Sequence, residues 1–457
     1  MGTLAAPPGG APASEVTVQP AGRLRGQIGV PGDKSISHRA LMLALLAAGE
    51  SRIMGAGDGA DVRSTAAVAA ALGASVERIP GEDGNVDYRV SSPGDGALRE
   101  PAAVLDCGNS GTSLRLFAGI LAGLPLTTVL DGDASLRGRP VARIIEPLRA
   151  MGATLQAHDY DSLPPLSVTG RRPLRPIDWT TQVPSAQVKS AILLAGLRAG
   201  GTTRVQERVA TRDHSERMLR ARGVTVRSMP DGAGGAMIEI DGGKAVQAME
   251  ERVPGDPSAA AFWLVGAAIH PDAELVIRNV GVNPTRRAVI DLLGRMGARI
   301  EERPVIGAPA EAVEAGEPVA DLTVRTSDLE AIDLGPIEVA AAIDEIPILC
   351  LAATQARGRT RIRGAGELRH KESDRLAGIA AGLNALGARI EVEGDDLTID
   401  GPVRLRGAET DSLDDHRLAM TFAIAGLIAS GRTTVGRSAS ASISYPGFFS
   451  DLERIRA

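Results

Sequence analysis

The sequence predicts an α/β protein of six repeated helix-and-strand modules, three in each of two domains. Three observations point there. A helix end of the form Leu/Met-Gly-Ala recurs at Gly73, Gly152, Gly297 and Gly387, with Gly223 as a weaker fifth case. A second echo of polar loop, apolar helix, glycine turn and β-branched strand precedes each by roughly 40 residues. The 457 residues suffice for at least two cores, at ~150 residues per domain.

The six copies span Pro31–Ile53, Cys107–Leu130, Val183–Val205, Val253–Ile277, Asp344–Ile362 and Asp414–Val435. At each of the helix-end repeats the glycine just past the helix is read as left-handed, and a strand follows. The last copy ends early, at Phe449–Leu452, with a short second helix and no final strand. The linker Glu250-Glu251-Arg252 is read as a crossing between domains. Residues 31–252 then hold modules one to three, and residues 15–30 with 253–457 hold modules four to six. Residues 1–14 are read as a disordered Pro/Gly/Ala segment, and Ala308–Val319 as a surface insertion.

Composition narrows the function classes. With 44% apolar but only 2% aromatic residues, the cores must be built from Leu, Ile, Val and Ala in close helix-to-sheet contact. A net charge of -6 argues against nucleic acid as a bulk partner, so any basic site is local. Two cysteines are too few for a disulfide framework and fit a reducing cytoplasm. The apolar runs near Leu41, Ile192 and Phe422 fall short of the ~20 residues of a membrane span.

The chemistry gathers on the helix starts. In Pro31–Arg39 a loop feeds a helix whose free N–H groups and dipole, with Lys34, Ser35 and Arg39 on the first turns, suit a phosphate. A capped helix with a solvated basic end is the competing reading. In Asp106–Arg115 two glycines permit close backbone approach, and Asn109 and Thr112 are read as caps. Arg137 and Arg139 share one face of Gly132–Pro140 if that stretch is extended; a solvated charged loop is the alternative. Ser185, Gln187 and Lys189 alternate with apolar residues and are read as donors that orient a polyol or phosphate.

Thr211–Glu216 reads as an N-capped helix start with Arg212 as a further anion donor, and His214 and Glu216 as capping and a surface ion pair. The C-terminal half adds carboxylates: Asp344 and Glu345 at a helix start, then Glu372 between Lys371 and Arg375, two cations read as sharing a helical face. Asp415-His416-Arg417 places a basic pair on the last start. Carboxylates among cations define a candidate anion-binding acid/base site. The six histidines lack metal-ligand spacing, and there is no Walker loop or GxGxxG after a strand. No metal, ATP or dinucleotide is expected.

Taken in order, PGDKSISHR, GNSGTSLR, SLRGRP, VPSAQVKSA, TRDHSE, DEIP, RHKESDR and DHRLAM resemble the 5-enolpyruvylshikimate-3-phosphate synthase family, over nearly the whole chain from about Val16 to Leu452. The resemblance implies a two-domain inverse α/β barrel with its active site in the interdomain cleft. It implies transfer of the enolpyruvyl group of phosphoenolpyruvate to the 5-hydroxyl of shikimate 3-phosphate, with no cofactor and no metal, by a cytoplasmic monomer. Asp344 would be the base, Glu372 the acid, and Lys34 would stabilise developing charge. Shikimate 3-phosphate would meet Lys34, Ser35, Arg39, Ser185, Ala186, Gln187, Arg212, Asp344 and Lys371. Phosphoenolpyruvate would meet Lys34, Asn109, Gly111, Arg139, Gln187, Arg375, His416 and Arg417.

Some positions depart from the family pattern. Ile443 precedes Ser444-Tyr445-Pro446 where many members carry lysine, and Ala186 stands where others have serine. Gly111 is the position associated with room for glyphosate, so inhibition by glyphosate is expected. Two other functions compete. Enolpyruvyl transfer to UDP-N-acetylglucosamine would call for a reactive cysteine in Ser135–Pro140, where there is none. Non-catalytic binding of phosphorylated metabolites would leave Asp344 and Glu372 without a purpose.

Overall fold

The computed structural model describes residues 14–81, 85–305 and 316–456. The N-terminal segment through residue 13 and the greater part of the expected 308–319 insertion lie outside them. The fold is a two-domain inverse α/β barrel of six modules. In each, one apolar helix leads into a strand: Lys34–Leu46 into Ala48–Ala56, Gly111–Ala122 into Thr127–Asp131, and Ala186–Gly196 into Thr202–Glu207. In the other half Pro257–Ile269 leads into Ala273–Gly281, Ile346–Gln355 into Gly358–Ile362, and His416–Gly426 into Thr433–Gly436. The five glycines of the helix-end echo all have positive φ, between 80° at Gly223 and 114° at Gly73. That conformation needs no Cβ, which explains why glycine ends these helices.

Among the described residues the strands form five four-stranded sheets and one of three strands. The strand after the helix is central, with a parallel neighbour on one side and an antiparallel one on the other. In four modules the parallel neighbour is the strand just before the helix, for example Leu105–Asp106 beside Thr127–Asp131 or Asp178–Thr180 beside Thr202–Glu207. The first and fourth modules exchange theirs. Leu24–Gly29 pairs with Ala273–Gly281, and Glu250–Arg252 pairs with Ala48–Ala56. The segment Glu250–Arg252, expected as linker, is therefore a strand. In the three-stranded sheet Glu15–Val18 runs antiparallel to Thr433–Gly436 and takes the place of the missing strand.

The exchange leaves two segments that pass between the halves side by side. Asp33 N donates to Pro254 O at 2.8 Å, and Asp256 N donates to Pro31 O at 2.8 Å. Buried apolar residues fall into two clusters on either side of this crossing. One joins Ile36 through Val253; the other joins Val18, Leu24, Ile28 and Val30 to residues between Ala259 and Ile455. The central helices are apolar on nearly every face, as helices enclosed by sheets must be. Small residues set their spacing: a Cβ on Gly119 would lie 2.3 Å from Ala191 O of the neighbouring helix. The second core is wedged by aromatics, with Trp263 stacked on Phe448 at 4.9 Å.

Candidate active site

Five of the six central helices are capped by a side chain at their starts. Asp33 accepts from Ile36 N, Ser110 from Ser113 N, Ser185 from Val188 N, Asp256 from Ser258 N and Asp415 from Arg417 N. Capping fixes where the next residues point. At the first start Lys34 reaches Asp61 Oδ2 at 3.3 Å, and its backbone N–H donates to Asp256 Oδ2 at 3.3 Å. Arg39 is buried, and each guanidinium nitrogen has a protein partner: Ser215 Oγ, Ser190 Oγ and Ser35 O, at 2.8 to 2.9 Å. Burial pulls its pKa down to about 10.

At the second start the cap is Ser110, not Asn109 or Thr112, whose side chains bind neighbouring segments instead. Asn109 Oδ1 accepts from Arg139 Nη2 at 2.6 Å, and Asn109 Nδ2 donates to Asp133 at 2.8 Å. Thr112 Oγ1 accepts from Gln187 Nε2 at 3.1 Å. Arg115 ties its own helix start to a neighbouring helix and to one loop: it donates to Gln187 Oε1 at 2.8 Å, to Pro140 O at 2.8 Å, and to Gly111 O at 3.4 Å. Burial lowers its pKa to about 9. A Cβ on Gly111 would stand 2.6 Å from Arg115 Nη1 and 3.8 Å from Arg139 Nη1.

The stretch expected to present Arg137 and Arg139 on one face is not extended. Asp133 caps a short helix, Ala134–Arg137, which sends Arg137 out to Asp131 and Arg139 inward to Asn109. Lys189 also departs from expectation. It does not orient a ligand; it is 1% exposed, between Glu207 at 2.9 Å and Glu216 at 2.8 Å. Glu216 and His214 are likewise buried, not surface partners, and His214 Nδ1 meets Glu317 at 2.7 Å. Asp213 precedes their helix without capping it; its carboxylate is taken by Arg217 and Asn283.

Across the cleft, Asp344 Oδ2 accepts from Arg212 Nη2 at 3.0 Å, and its Oδ1 is 3.7 Å from Arg375 Nη1. Arg375 is 1% exposed and also binds Asp415 at 2.7 Å and Glu372. Lys371 and Arg375 do not share a helical face. The 3-10 turn Gly366–His370 ends before Lys371, and Asp374 caps a new helix at Arg375. Burial by itself would raise the pKa of Asp344, but Arg417, Lys371, Arg212 and Arg375 outweigh it and hold the carboxyl well below its usual range. Burial works the same way on Glu372 and is outweighed by the cations Arg375, Lys34 and Arg139. Lys34 and Arg139 come from the opposite half, so the two halves face each other at charge-interaction range. His416 is enclosed without a hydrogen-bond partner on either ring nitrogen among the described residues, and burial lowers its pKa to about 4.

The structure thus brings Lys34, Asn109, Gly111, Arg139, Gln187 and Arg212 of one half toward Asp344, Lys371, Glu372, Arg375, His416 and Arg417 of the other. Ser35, Ser185 and Ala186 lie on the same helix starts. Sequence reasoning gave no role to Asp61, Arg115 or Asp415, although Arg115 and Asp415 stand within the quoted motifs. Asp61 is an acid in the first turn of its helix, and Arg115 follows Gly111 by four residues; those spacings were the available signals.

Six modules in two halves, with cations and carboxylates converging between them, define a transferase of the enolpyruvyl-transfer class. The chain belongs to the EPSP synthase (3-phosphoshikimate 1-carboxyvinyltransferase) family, whose model matches residues 18–452. It is 51% identical over 443 residues to a 3-phosphoshikimate 1-carboxyvinyltransferase of Gloeobacter violaceus, covering 96% of this chain and 98% of that one. It is 50% identical over 442 residues to one of an Anaeromyxobacter species, covering 96% and 97%. The solved EPSP synthase of Acinetobacter baumannii superposes with a TM-score of 0.84 at 39% identity, over 97% of this chain and 98% of that one. Among the described residues no helix is long and apolar enough to cross a membrane.

Proposed function

We propose that this protein transfers the enolpyruvyl group of phosphoenolpyruvate to the 5-hydroxyl of shikimate 3-phosphate and releases phosphate. The observation that carries this reading is the placement of Asp344, held by Arg212 of one half and Arg375 of the other. In the absence of substrate its carboxylate is a weak base, because cations stabilise its ionised form. The phosphate of shikimate 3-phosphate, received by Ser35, Ser185 and Arg212, draws Arg212 away and restores basicity where the 5-hydroxyl lies. Lys371 sits beside the same substrate.

The phosphate and carboxylate of phosphoenolpyruvate occupy Arg139, Arg375, Arg417 and Lys34, with Asn109, Gly111, Gln187 and His416 around them. This relieves the cationic hold on Glu372, which then carries a proton. The 5-oxygen bonds to C2 as its proton passes to Asp344, and C3 receives a proton from Glu372. In the second stage C3 returns that proton to Glu372, the C2–O bond to phosphate breaks as the leaving phosphate takes up the proton held by Asp344, and the double bond re-forms. Lys34 opposes charge on the departing phosphate. Residues 31–252 form one domain, residues 15–30 with 253–457 the other, and the protein works as a monomer in the cytoplasm.

The test is phosphate release from shikimate 3-phosphate plus phosphoenolpyruvate. Turnover that requires both substrates is expected. Its absence, or comparable turnover with UDP-N-acetylglucosamine as acceptor, would overturn the reading.

A further inference from the structure

Arg286 lies outside every motif quoted above, yet it is 4% exposed and stands where the two crossing segments meet. Three carboxylates from separate parts of the chain surround it. Its Nη2 donates to Asp256 Oδ1 at 3.0 Å and to Ser258 Oγ at 2.7 Å, and lies 3.7 Å from Asp33 Oδ2. Its Nη1 is 3.7 Å from Glu345 Oε1, and Ser258 Oγ also donates to Glu345.

Two of these carboxylates also hold the helix start at Lys34, and the third adjoins Asp344. Asp33 caps the helix that begins with Lys34, and Asp256 accepts the backbone N–H of Lys34. Glu345 follows Asp344 directly. Asp33 is 1% and Glu345 2% exposed, so without a cation between them these carboxylates would repel one another in a poorly solvated space. Asp33 belongs to one half, and Asp256 and Glu345 to the other.

We propose that Arg286 is a positioning residue for enolpyruvyl transfer: it gathers both crossing segments and the Asp344–Glu345 turn around one guanidinium, so that closing the cleft and aiming Asp344 are a single event. The proposal rests on the function given above. A point charge at this position balances charge but does not span the same partners, because only the planar fork reaches Asp256 and Glu345 together.

The test uses the full chain and the variants Arg286→Lys and Glu345→Gln, with melting temperature, shikimate 3-phosphate affinity, phosphate-release kinetics and substrate-induced compaction in X-ray scattering as readouts. For Arg286→Lys a folded protein is expected, with substrate affinity within about threefold and kcat lowered ~30-fold or more. KM should change little and the compaction should shrink. Glu345→Gln, a milder change, should move kcat and compaction the same way, and the double variant should lose no more than Arg286→Lys alone. A kcat for Arg286→Lys within twofold of the unaltered chain, or a loss of kcat matched by an equal loss of substrate affinity, would overturn the proposal. Should Arg286→Lys fail to fold, unchanged kcat and compaction in Glu345→Gln would do the same. Failure of the unaltered chain to release phosphate overturns the functional reading itself, a result distinct from any difference between variants.

Discussion

Neighbouring cations keep Asp344 and Glu372 ionised against burial, which works to raise their pKa, and two histidines nearby do the reverse. His38 and His416 are enclosed and neutral, with burial lowering their pKa to about 3 and about 4. In the unfolded chain a histidine binds its proton near pH ~6.5 and a carboxyl near ~4. Below ~6.5 the unfolded state therefore binds more protons than the native state, and stability falls as the pH drops. Each histidine contributes about 1.4 kcal/mol per pH unit within its window. The depressed carboxyls of Asp33, Asp61, Asp344 and Glu372 act in the same direction, but only below ~4, where their unfolded counterparts take up protons. Urea midpoints should thus decline from pH 7 to pH 5 and more steeply below 4; equal midpoints at 7 and 5 would contradict the neutral histidines. Gly111 gives a second prediction at this scale. Gly111→Ala must push Arg115 aside, so KM for phosphoenolpyruvate should rise, by ~10-fold, and inhibition by glyphosate should weaken more than that, as measured by steady-state kinetics. Lys34, Arg375 and Arg417 were legible because each follows a capping residue in a contiguous stretch, and Asp344 because it lies just before the apolar helix Ile346–Gln355. Lys189 and His214 were not, since Glu207 and Glu317 lie 18 and 103 positions away and no local pattern marks them as buried.

The elements that carry these residues are tied by buried charge as well as by apolar packing. Lys189 joins its own helix, Ala186–Gly196, to the end of the strand Thr202–Glu207 and to the helix His214–Ala221. Lys189→Met would leave two buried carboxylates facing each other without a cation, which costs about 3–5 kcal/mol. A matching fall in the urea unfolding free energy is expected, and a loss under ~1 kcal/mol would mean the pair is solvated or protonated. The repeat of helices and strands was readable because left-handed glycines punctuate it. The break between Lys371 and Arg375 was not, because Lys371-Glu372-Ser373 contains neither glycine nor proline. The spacing of four suggested one helix, but Asp374 uses its carboxylate to start a new one.

For the whole molecule, the strand exchange decides which pieces belong together. Residues 31–252 contain every strand of their own three sheets, including Glu250–Arg252. Residues from 253 onward lack Glu15–Val18 and Leu24–Gly29, which complete two of theirs. The 31–252 fragment should therefore melt cooperatively alone, as followed by circular dichroism. A fragment from 253 to the end should not, unless residues 15–30 are added back. The two-domain division was legible from the sixfold repeat, but the exchanged strands were not, since pairing partners are set by tertiary contacts and leave no local trace. The same exchange bears on synthesis. Thr17 meets Thr434 across 417 positions, and Gln27 meets Arg278 across 251. At ~5–20 residues per second on the ribosome, the first strand waits on the order of 20–80 s for its partner. Until its partner emerges, a strand such as Leu24–Gly29 has an unpaired edge, and the polar side chains of Arg25 and Gln27 limit the apolar surface it presents.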